Sequence, residues 1–466
     1  MLLGLSVFAI FEATCRLTGW GTAVPVSAFE EFGAARLLFT LDSDAGEYRV
    51  ADNRRLYFAE ESFPAVKSAN VRRIFLLGGS TVQGRPFSIP TSFGTFLEIA
   101  LKHADPDSEW QVVNCGGISY ASYRLLPMVR ECVHYEPDLF IICTGHNEFL
   151  ECMTYAAVIS ASSTLKQTHS WLDALHSVRL MRHIIQPVPT AAQNDVTVLP
   201  DEVDAMLDHQ GGLDVYTRQA LCRDDIATQF HRNLQEMVDV CRGHGVPLVF
   251  VSPASNLGDC PPFKSQFGDV IDAETQQEIT NQLQLASQLQ KDDLRGSIPL
   301  LKSIVERDPA FAFSWYQLGR SYRMVNRIDE AKAAFVHARD ADICPLRMTS
   351  ALEKQLLRVA TENDLPLVNL QSFMERHCRD GIVDNSVLVD HVHPSFRSNQ
   401  QIALELIEKL SLSKREDWQA AAEADFDAHL QSLDDLYFLG GRRTLRSLQA
   451  WAAGRGDGPP LDSPKP

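Results

Sequence analysis

The sequence predicts an α/β fold in which a doubly wound parallel sheet of five strands is interrupted by an all-α helical segment. Short apolar runs rich in β-forming residues alternate with amphipathic helical patterns, as expected for parallel strands buried on both faces. Between the fourth and fifth runs the pattern is helical alone. With 466 residues, of which 45% are hydrophobic, the chain can bury the core that a five-stranded sheet covered by helices requires.

Composition and charge exclude other classes of protein. The chain has 43 basic and 60 acidic side chains, a formal net charge of −17, and so provides no positive field for a phosphate backbone. We therefore expect no nucleic-acid partner. The ten cysteines contain no Cys-x-x-Cys pair, which fits neither a disulfide scaffold nor a zinc ribbon. We interpret them as buried thiols and expect no cofactor.

The chain begins with an apolar run, LLGLSVFAIF, at residues 2–11. The run is too short to span a bilayer, and it lacks the basic leader and the cleavage site of a secretory signal. Two interpretations are open. In the first, residues 1–20 are the remnant of an N-terminal membrane anchor and the protein is membrane-anchored or extracytoplasmic. In the second, the run is a helix that packs on the rest of the fold, and the protein is cytoplasmic.

The α/β domain is predicted in two parts, 70–270 and 350–412. Its strands are predicted at IFLL (74–77), WQVVN (110–114), DLFIICTG (138–145), PLVFVSP (247–253) and LPLVNL (365–370). Amphipathic helices are predicted between them near 93–103, 123–134 and 226–242. Residues 152–225, where helical stretches are interrupted by VPTAAQND, are interpreted as a helical insertion in the first part.

A second insertion is predicted at 275–345. Residues 315–322, WYQLGRSY, followed by Ala331, Phe335 and Ala338, match the tetratricopeptide template. A degenerate repeat is predicted before it, with Leu301 and Ile304 facing inward. Because one helical hairpin cannot bury its apolar face alone, the two units should stack on each other. Their surface is a candidate site for a protein partner.

The end of the chain is predicted to contain helices at 415–453, separated by a turn at the GGRR sequence (440–443). The last residues, 454–466, are rich in Gly, Pro and Asp and are expected to be disordered.

A Gly-rich turn follows the first strand, with Gly78, Gly79 and Ser80 in sequence. In a doubly wound sheet, ligands bind at the carboxyl ends of the strands. The glycines allow a tight turn that points the Ser80 hydroxyl into such a cleft. A phosphate loop is the rival interpretation, but Arg85-Pro86 stands where Lys-Ser/Thr is required. A helix-capping role for Ser80 is the plainer alternative.

Two further stretches follow the next strands. NCGGISYAS (114–122) has Gly117, whose backbone amide could face a cleft and donate to an oxyanion. TGHNE (144–148) has Asn147, whose side-chain amide could be another donor, although a turn residue is the plainer interpretation in isolation.

The fourth stretch is DHVHP, beginning at Asp390. Asp390 lies three residues before His393, so one turn can bring a carboxylate beside an imidazole that accepts a proton from a nucleophile. Metal binding by His391 and His393 is the alternative, but it lacks an evident third ligand. We therefore predict no metal site.

The order of these blocks resembles that of the SGNH (GDSL-type) hydrolases, and in particular of members with an N-terminal apolar segment and inserted tetratricopeptide repeats. The resemblance covers roughly 70–150, 225–260 and 355–410. It implies a flavodoxin-like sheet with Ser80 as nucleophile, His393 as base and Asp390 as its orienting acid. It also implies that a glycine-block residue and Asn147 bind the oxyanion.

The sequence departs from this family pattern in three places. The first block reads GGST instead of GDSL. The glycine of the second block could fall on Gly117 or on Ser119. In the third block Glu148 replaces the usual Asp, which would place a longer carboxylate beside the cleft.

The resemblance implies an esterase that removes an O-acyl group from a carbohydrate, lipid or small metabolite through an acyl-enzyme on Ser80. A carbohydrate O-acyltransferase would use the same residues and differ only in the acceptor. A non-catalytic scaffold that binds a protein partner through the tetratricopeptide helices is the alternative of a different class, since fold analogy alone does not establish function. Membrane association through the N-terminal segment is a further possible interaction.

Overall fold

The computed structural model describes residues 37–151, 202–205, 207, 209, 211–219 and 222–455. Three sequence-based predictions lie wholly or largely outside these residues: the N-terminal apolar segment, most of the insertion at 152–225, and the tail from residue 456.

The central sheet has five parallel strands in the spatial order β5-β4-β6-β7-β8. They are β4 (Val71–Gly78), β5 (Glu109–Gly116), β6 (Leu139–Cys143), β7 (Leu248–Ser252) and β8 (Leu367–Asn369). Each coincides with one of the five predicted runs, so the predicted fold class is confirmed. Along the chain, the order reverses after β5, because β4 pairs with both β5 and β6. Such a reversal opens a crevice at the carboxyl ends of β4 and β6.

A smaller antiparallel sheet precedes the central one. It consists of β1 (Phe39–Asp42), β2 (Glu47–Val50) and β3 (Ser62–Pro64). None of these three strands is predicted from the sequence. The small sheet is tied to the large one through the buried Arg73 side chain, which donates to the Pro64 carbonyl oxygen at 2.9 Å. The Phe63 ring also packs edge-on against Phe75 of β4.

The helices of the described part are α1 (Ser80–Gln83), α2 (Phe93–Ala104), α3 (Ser122–Cys132), α4 (Arg223–Gly243), α5 (Ala273–Asp292), α6 (Leu294–Arg307), α7 (Ala312–Met324), α8 (Ile328–Ala341), α9 (Ser350–Glu362), α10 (Leu370–Glu375), α11 (Phe396–Lys409), α12 (Trp418–Ser432) and α13 (Asp435–Arg455). None of the described helices is long and apolar enough to cross a membrane.

Helices cover both faces of the sheet. Successive side chains of each strand point to opposite faces, so the apolar strands need a packing partner on each side. Leu76 of β4 lies in one core with Phe96 of α2 and Ile402 of α11. Phe75, the preceding residue, points to the other face and contacts the Phe140 and Tyr135 rings. Every cysteine in the described part is a free thiol, and all except Cys222 are buried. The interpretation as buried thiols therefore holds for all the described cysteines except Cys222.

Helices α5 to α8 lie between β7 and β8 and share a separate core. Leu301 and Ile304 are fully buried in this core, as predicted. Gly319 of α7 allows close packing, because a Cβ atom there would lie 2.7 Å from the Phe335 ring of α8. The assignment of these helices to the tetratricopeptide class, and of the segment to a separate domain, stays a prediction.

The predicted GGRR turn is wrong, because residues 440–443 lie inside α13. Gly441 is needed there for packing and does not end the helix. A Cβ atom at this position would collide with the Phe87 ring, whereas one at Gly440 would meet nothing within 4 Å. Phe87 cannot easily move aside, since its ring centroid lies 4.4 Å from that of Phe396. Gly441 therefore brings α13 against the loop that follows α1.

We expect Gly441→Ala to destabilise the packing of α13 by about 1–3 kcal/mol, the usual cost of overpacking. Gly440→Ala, its neighbour on the exposed face, should be neutral or stabilising by up to about 1 kcal/mol, since alanine favours helix. Urea unfolding together with hydrogen exchange of the α13 amides measures both variants. Equal effects of the two substitutions would contradict this account of Gly441.

Candidate active site

The turn after β4 brings Ser80 to the carboxyl edge of the sheet. Gly78 ends the strand where a side chain would collide with Val82 and with the Cys143 carbonyl of β6. At Gly79, a Cβ atom would lie 2.8 Å from Asn147 Nδ2. The absence of side chains at both positions thus allows the turn, the end of β6 and Asn147 to approach one another. Ser80 begins α1 directly after this turn.

The structure brings Ser80, His393 and Asp390 together in one hydrogen-bonded chain. Ser80 Oγ lies 2.8 Å from His393 Nε2, and His393 Nδ1 lies 2.7 Å from Asp390 Oδ2. In this geometry Asp390 fixes the imidazole with its proton on Nδ1, which leaves Nε2 free to accept the Ser80 proton. Ser80 and His393 are 313 residues apart in sequence, so only the fold brings them into contact.

Asp390 is held as a carboxylate despite its burial. Its second oxygen, Oδ1, accepts the backbone amides of Val392 and His393, both at 2.9 Å. Burial by itself would raise the pKa of Asp390, but the neighbouring histidines, His393 and His391, and these hydrogen bonds hold the pKa well below its ordinary value. A permanent negative charge therefore faces His393 Nδ1 and would stabilise the imidazolium that forms when His393 takes a proton.

Three hydrogen-bond donors belong to residues that line the cavity around Ser80. Asn147 Nδ2 donates to the Tyr120 carbonyl oxygen at 3.0 Å, and its second hydrogen is available to a ligand. The backbone amides of Ser80 and Ser119 donate to no acceptor within the described residues. Ser119 lines the cavity and has a left-handed backbone, with φ of 64°. These groups can donate to an oxyanion that forms at Ser80.

The structure corrects the prediction that the Gly117 amide faces the cleft. This amide donates to the Gly78 carbonyl oxygen at 2.9 Å, which joins the ends of β5 and β4. Gly117 is required for a different reason, since a Cβ atom there would lie 2.7 Å from both the Phe58 and Tyr120 rings. Of the two residues onto which the second block could fall, only Ser119 therefore lines the cavity and has a backbone amide without an acceptor among the described residues.

Glu148 does not lie beside the cleft, which corrects a second expectation. Its side chain is buried and accepts from the Ser122 amide at 2.9 Å and the Ser122 hydroxyl at 2.7 Å. The Thr144 hydroxyl also donates to it, at 3.2 Å. Burial raises the pKa of Glu148 to about 7, although the hydrogen bonds from Ser122 oppose this shift. Glu148 therefore ties the loop after β6 to the start of α3.

The cavity around Ser80 has a volume of about 390 Å³, which is within the range of sites for small molecules. Several lining residues were missed by sequence reasoning, because they lie outside the four motif stretches: Tyr57, Arg85, Leu207, Leu346, Thr444, Ser447 and Leu448. The last three belong to α13, which Gly441 brings close. None of them stands in a recognisable motif.

Two other histidines line the cavity, His146 and His391. Burial lowers the pKa of His146 to about 3 and that of His391 to about 4, so both are neutral at physiological pH. Among the residues that the structure describes, no group of three or more His, Cys, Asp or Glu side chains could hold a metal ion.

Comparison with known proteins gives fold similarity only. No family model and no curated protein matches the chain. Among solved structures, LAE5, an alpha/beta hydrolase enzyme from the metagenome of Lake Arreo in Spain, is 11% identical with a TM-score of 0.34, covering 73% of this chain and 95% of that chain. The acetylxylan esterase Axe2 from Geobacillus stearothermophilus is 12% identical with a TM-score of 0.33, covering 76% of this chain and 98% of that chain. The lipase/acylhydrolase from Enterococcus faecalis is 11% identical with a TM-score of 0.33, covering 74% of this chain and 99% of that chain.

The buried Glu148 makes stability depend on pH. Because its carboxyl binds a proton more tightly in the folded protein than in the unfolded chain, the folded state loses stability as pH rises from about 4.5 to about 7. Glu148→Gln removes this dependence. Between pH 5 and pH 8, the free energy of unfolding of the wild type should therefore fall by about 2 kcal/mol more than that of Glu148→Gln.

Urea unfolding at the two pH values measures the difference. Comparison with the variant is necessary, because burial also raises the pKa of Glu61 to about 7 and adds to the wild-type slope. Parallel pH dependences of the two proteins would show that Glu148 is ionised throughout.

Proposed function

We propose that the protein is a serine esterase of the SGNH type. The observation that supports this most strongly is the hydrogen-bonded chain from Ser80 Oγ through His393 to Asp390. A serine that merely capped a helix would need no buried histidine on its hydroxyl, and a scaffold would need no orienting carboxylate behind that histidine. A free pair of backbone amides beside the serine further supports acyl transfer over other reactions.

The reaction follows from the positions of these groups. Ser80 Oγ attacks the ester carbonyl carbon, and its proton passes to His393 Nε2 while Asp390 stabilises the imidazolium. The carbonyl oxygen becomes an oxyanion that accepts hydrogen bonds from the Ser80 and Ser119 amides and from Asn147 Nδ2. The ester C–O bond then breaks. His393 returns the proton to the leaving alcohol, and an acyl-enzyme remains on Ser80.

Hydrolysis of the acyl-enzyme repeats these steps with water. His393 takes a proton from the water as it attacks the acyl carbon, and the carboxylic acid leaves as the proton returns to Ser80 Oγ. A carbohydrate acyltransferase would use an acceptor hydroxyl in place of water. The two are distinguished by whether an added alcohol diverts product from the free acid.

The cavity supports an ester with a small acyl group. Its apolar and aromatic lining includes Tyr57, Ile118, Tyr120, Leu150 and Leu207. A volume of about 390 Å³ accommodates a short acyl chain and part of an alcohol. An O-acyl group on a carbohydrate, lipid or small metabolite fits this description.

Hydrolysis of 4-nitrophenyl acetate tests the proposed function. We expect Ser80→Ala and His393→Ala each to lower kcat by about 1,000-fold or more, the usual cost of removing one member of such a chain. Asp390→Asn should also lower kcat, because the amide no longer favours the required tautomer.

His244→Ala is the matched control, since this exposed residue precedes β7 at the opposite edge of the sheet. Each variant must first give the circular dichroism spectrum of the wild type. If folded Ser80→Ala hydrolysed the ester at the wild-type rate, the proposed function would be excluded.

The donor role of Asn147 gives a second prediction. Asn147→Ala removes a hydrogen bond that strengthens as the oxyanion forms, so kcat should fall by about 100- to 1,000-fold. KM should change far less, because the ground-state carbonyl gains little from this donor. Steady-state kinetics with the same ester separates the two constants. A change confined to KM would assign Asn147 to ground-state binding instead.

A further inference from the structure

Arg85 lies in the cavity without an acidic partner. Within the described residues its guanidinium forms no hydrogen bond and no ion pair, and the cavity lining includes no Asp or Glu side chain. Two arginines with buried side chains elsewhere do have acidic partners. Arg124 forms an ion pair with Glu151 at 2.6 Å, and Arg347 lies 3.6 Å from Asp342 and donates to the carbonyl oxygens of Asn256 and Cys260.

The Arg85 side chain is half-buried and lines the same cavity as Ser80 and His393. Burial lowers its pKa, and the charge of Asp390 only partly opposes this shift. Arginine nevertheless stays protonated in proteins. A charge that has lost part of its hydration and gained no counterion is unfavourable unless a ligand supplies one. An anionic group in the cavity would do so with a planar, two-point hydrogen-bond geometry.

The charge that acts on the Arg85 guanidinium is that of Asp390, the partner of His393, which indicates that Arg85 lies on the histidine side of the cavity they share. The backbone amide of Arg85 donates to the Ser80 carbonyl oxygen at 3.1 Å, so Arg85 lies one turn beyond the nucleophile. By contrast, the residues adjacent in sequence to the donor Ser119 are Ile118 and Tyr120, which are apolar or aromatic. Since His393 protonates the leaving alcohol, the histidine side is where the alcohol part of an ester sits.

We propose that Arg85 binds an anionic group, a carboxylate or a phosphate, on the alcohol part of the ester substrate. This inference rests on the proposed function and names its substrate class. It makes Arg85 a specificity-determining residue that contacts the substrate but takes no part in proton transfer.

Matched esters test the proposal kinetically. Phenyl acetate is neutral, whereas 4-acetoxybenzoate and 4-acetoxyphenyl phosphate place an anion on the alcohol part. Phenyl butyrate and the phenyl monoester of succinic acid form a second pair, with the anion on the acyl part. The variants are Arg85→Met, which removes the charge, and Arg85→Lys, which keeps the charge but loses the planar fork. Arg397→Met, at an exposed arginine outside the cavity, is the control.

We expect Arg85→Met to lower kcat/KM for the two alcohol-side anions by about 10- to 100-fold, as for the loss of a charge-assisted hydrogen bond. Values for phenyl acetate should stay within about twofold. Arg85→Lys should retain part of the preference, and Arg397→Met should match the wild type. Comparing variants on the same ester removes the intrinsic reactivity of the ester. The carboxylate and phosphate arms show which of the two anions Arg85 prefers.

Binding to Ser80→Ala protein provides a readout that does not depend on turnover. Titration calorimetry with 4-hydroxybenzoate, phenyl phosphate and phenol should show tighter binding of the anions, and Arg85→Met in the same background should abolish the difference.

An anion preference that survives Arg85→Met in both assays would overturn the proposal. An anion preference that is found only for esters with the anion on the acyl part would overturn it too. If phenyl acetate hydrolysis depends on Ser80 but no anion is preferred, this inference fails while the proposed function stands. If anions bind through Arg85 but no ester is hydrolysed, the proposed function fails instead.

Discussion

The rest of the site depends on the hydrogen bonds of the buried Asp390 carboxylate. One carboxylate oxygen accepts hydrogen bonds from two backbone amides of its own loop, and the other accepts a hydrogen bond from His393 Nδ1 at 2.7 Å. A charge in this position is costly unless it is fully hydrogen-bonded. The same bonds that satisfy it also fix the loop and the imidazole, and thereby direct His393 Nε2 to Ser80. Removing Asp390 would therefore disturb the position of the base as well as its charge.

The sheet brings the other half of the site to this carboxylate. Because β4 pairs with both β5 and β6, the turns after these three strands meet at one edge, and they supply Ser80, Ser119 and Asn147. Glycine is required at two of these junctions, where Gly78 approaches Cys143 and Gly117 approaches Phe58. The C-terminal helix α13 then completes the cavity, since Gly441 allows it to pack on Phe87. The site thus combines a rigid sheet edge with a helix from the far end of the chain.

The sequence was sufficient to predict features that depend on local patterns. All five strands follow from apolar runs, and the approach of Asp390 to His393 follows from their spacing. Contacts between residues that are far apart in the sequence could not be predicted from local patterns. Whether Gly117 or Ser119 presents a free amide depends on the bond from Gly117 to Gly78, and the inward position of Glu148 depends on Ser122. Two adjacent glycines predict the end of a helix, but both lie inside α13, and the packing on Phe87 explains only Gly441. Arg85 belongs to no motif, and only the cavity around it indicates a role.

The central claim is that Ser80 is an activated nucleophile, and covalent labelling tests it most directly. The purified protein would be treated with a fluorophosphonate probe and the modified peptide located by mass spectrometry, in parallel with folded Ser80→Ala and His393→Ala variants. The account predicts a label on Ser80 that is absent in Ser80→Ala and strongly reduced in His393→Ala. An unlabelled Ser80 in folded wild-type protein would contradict it, and would direct attention to the scaffold alternative and the surface of helices α5 to α8.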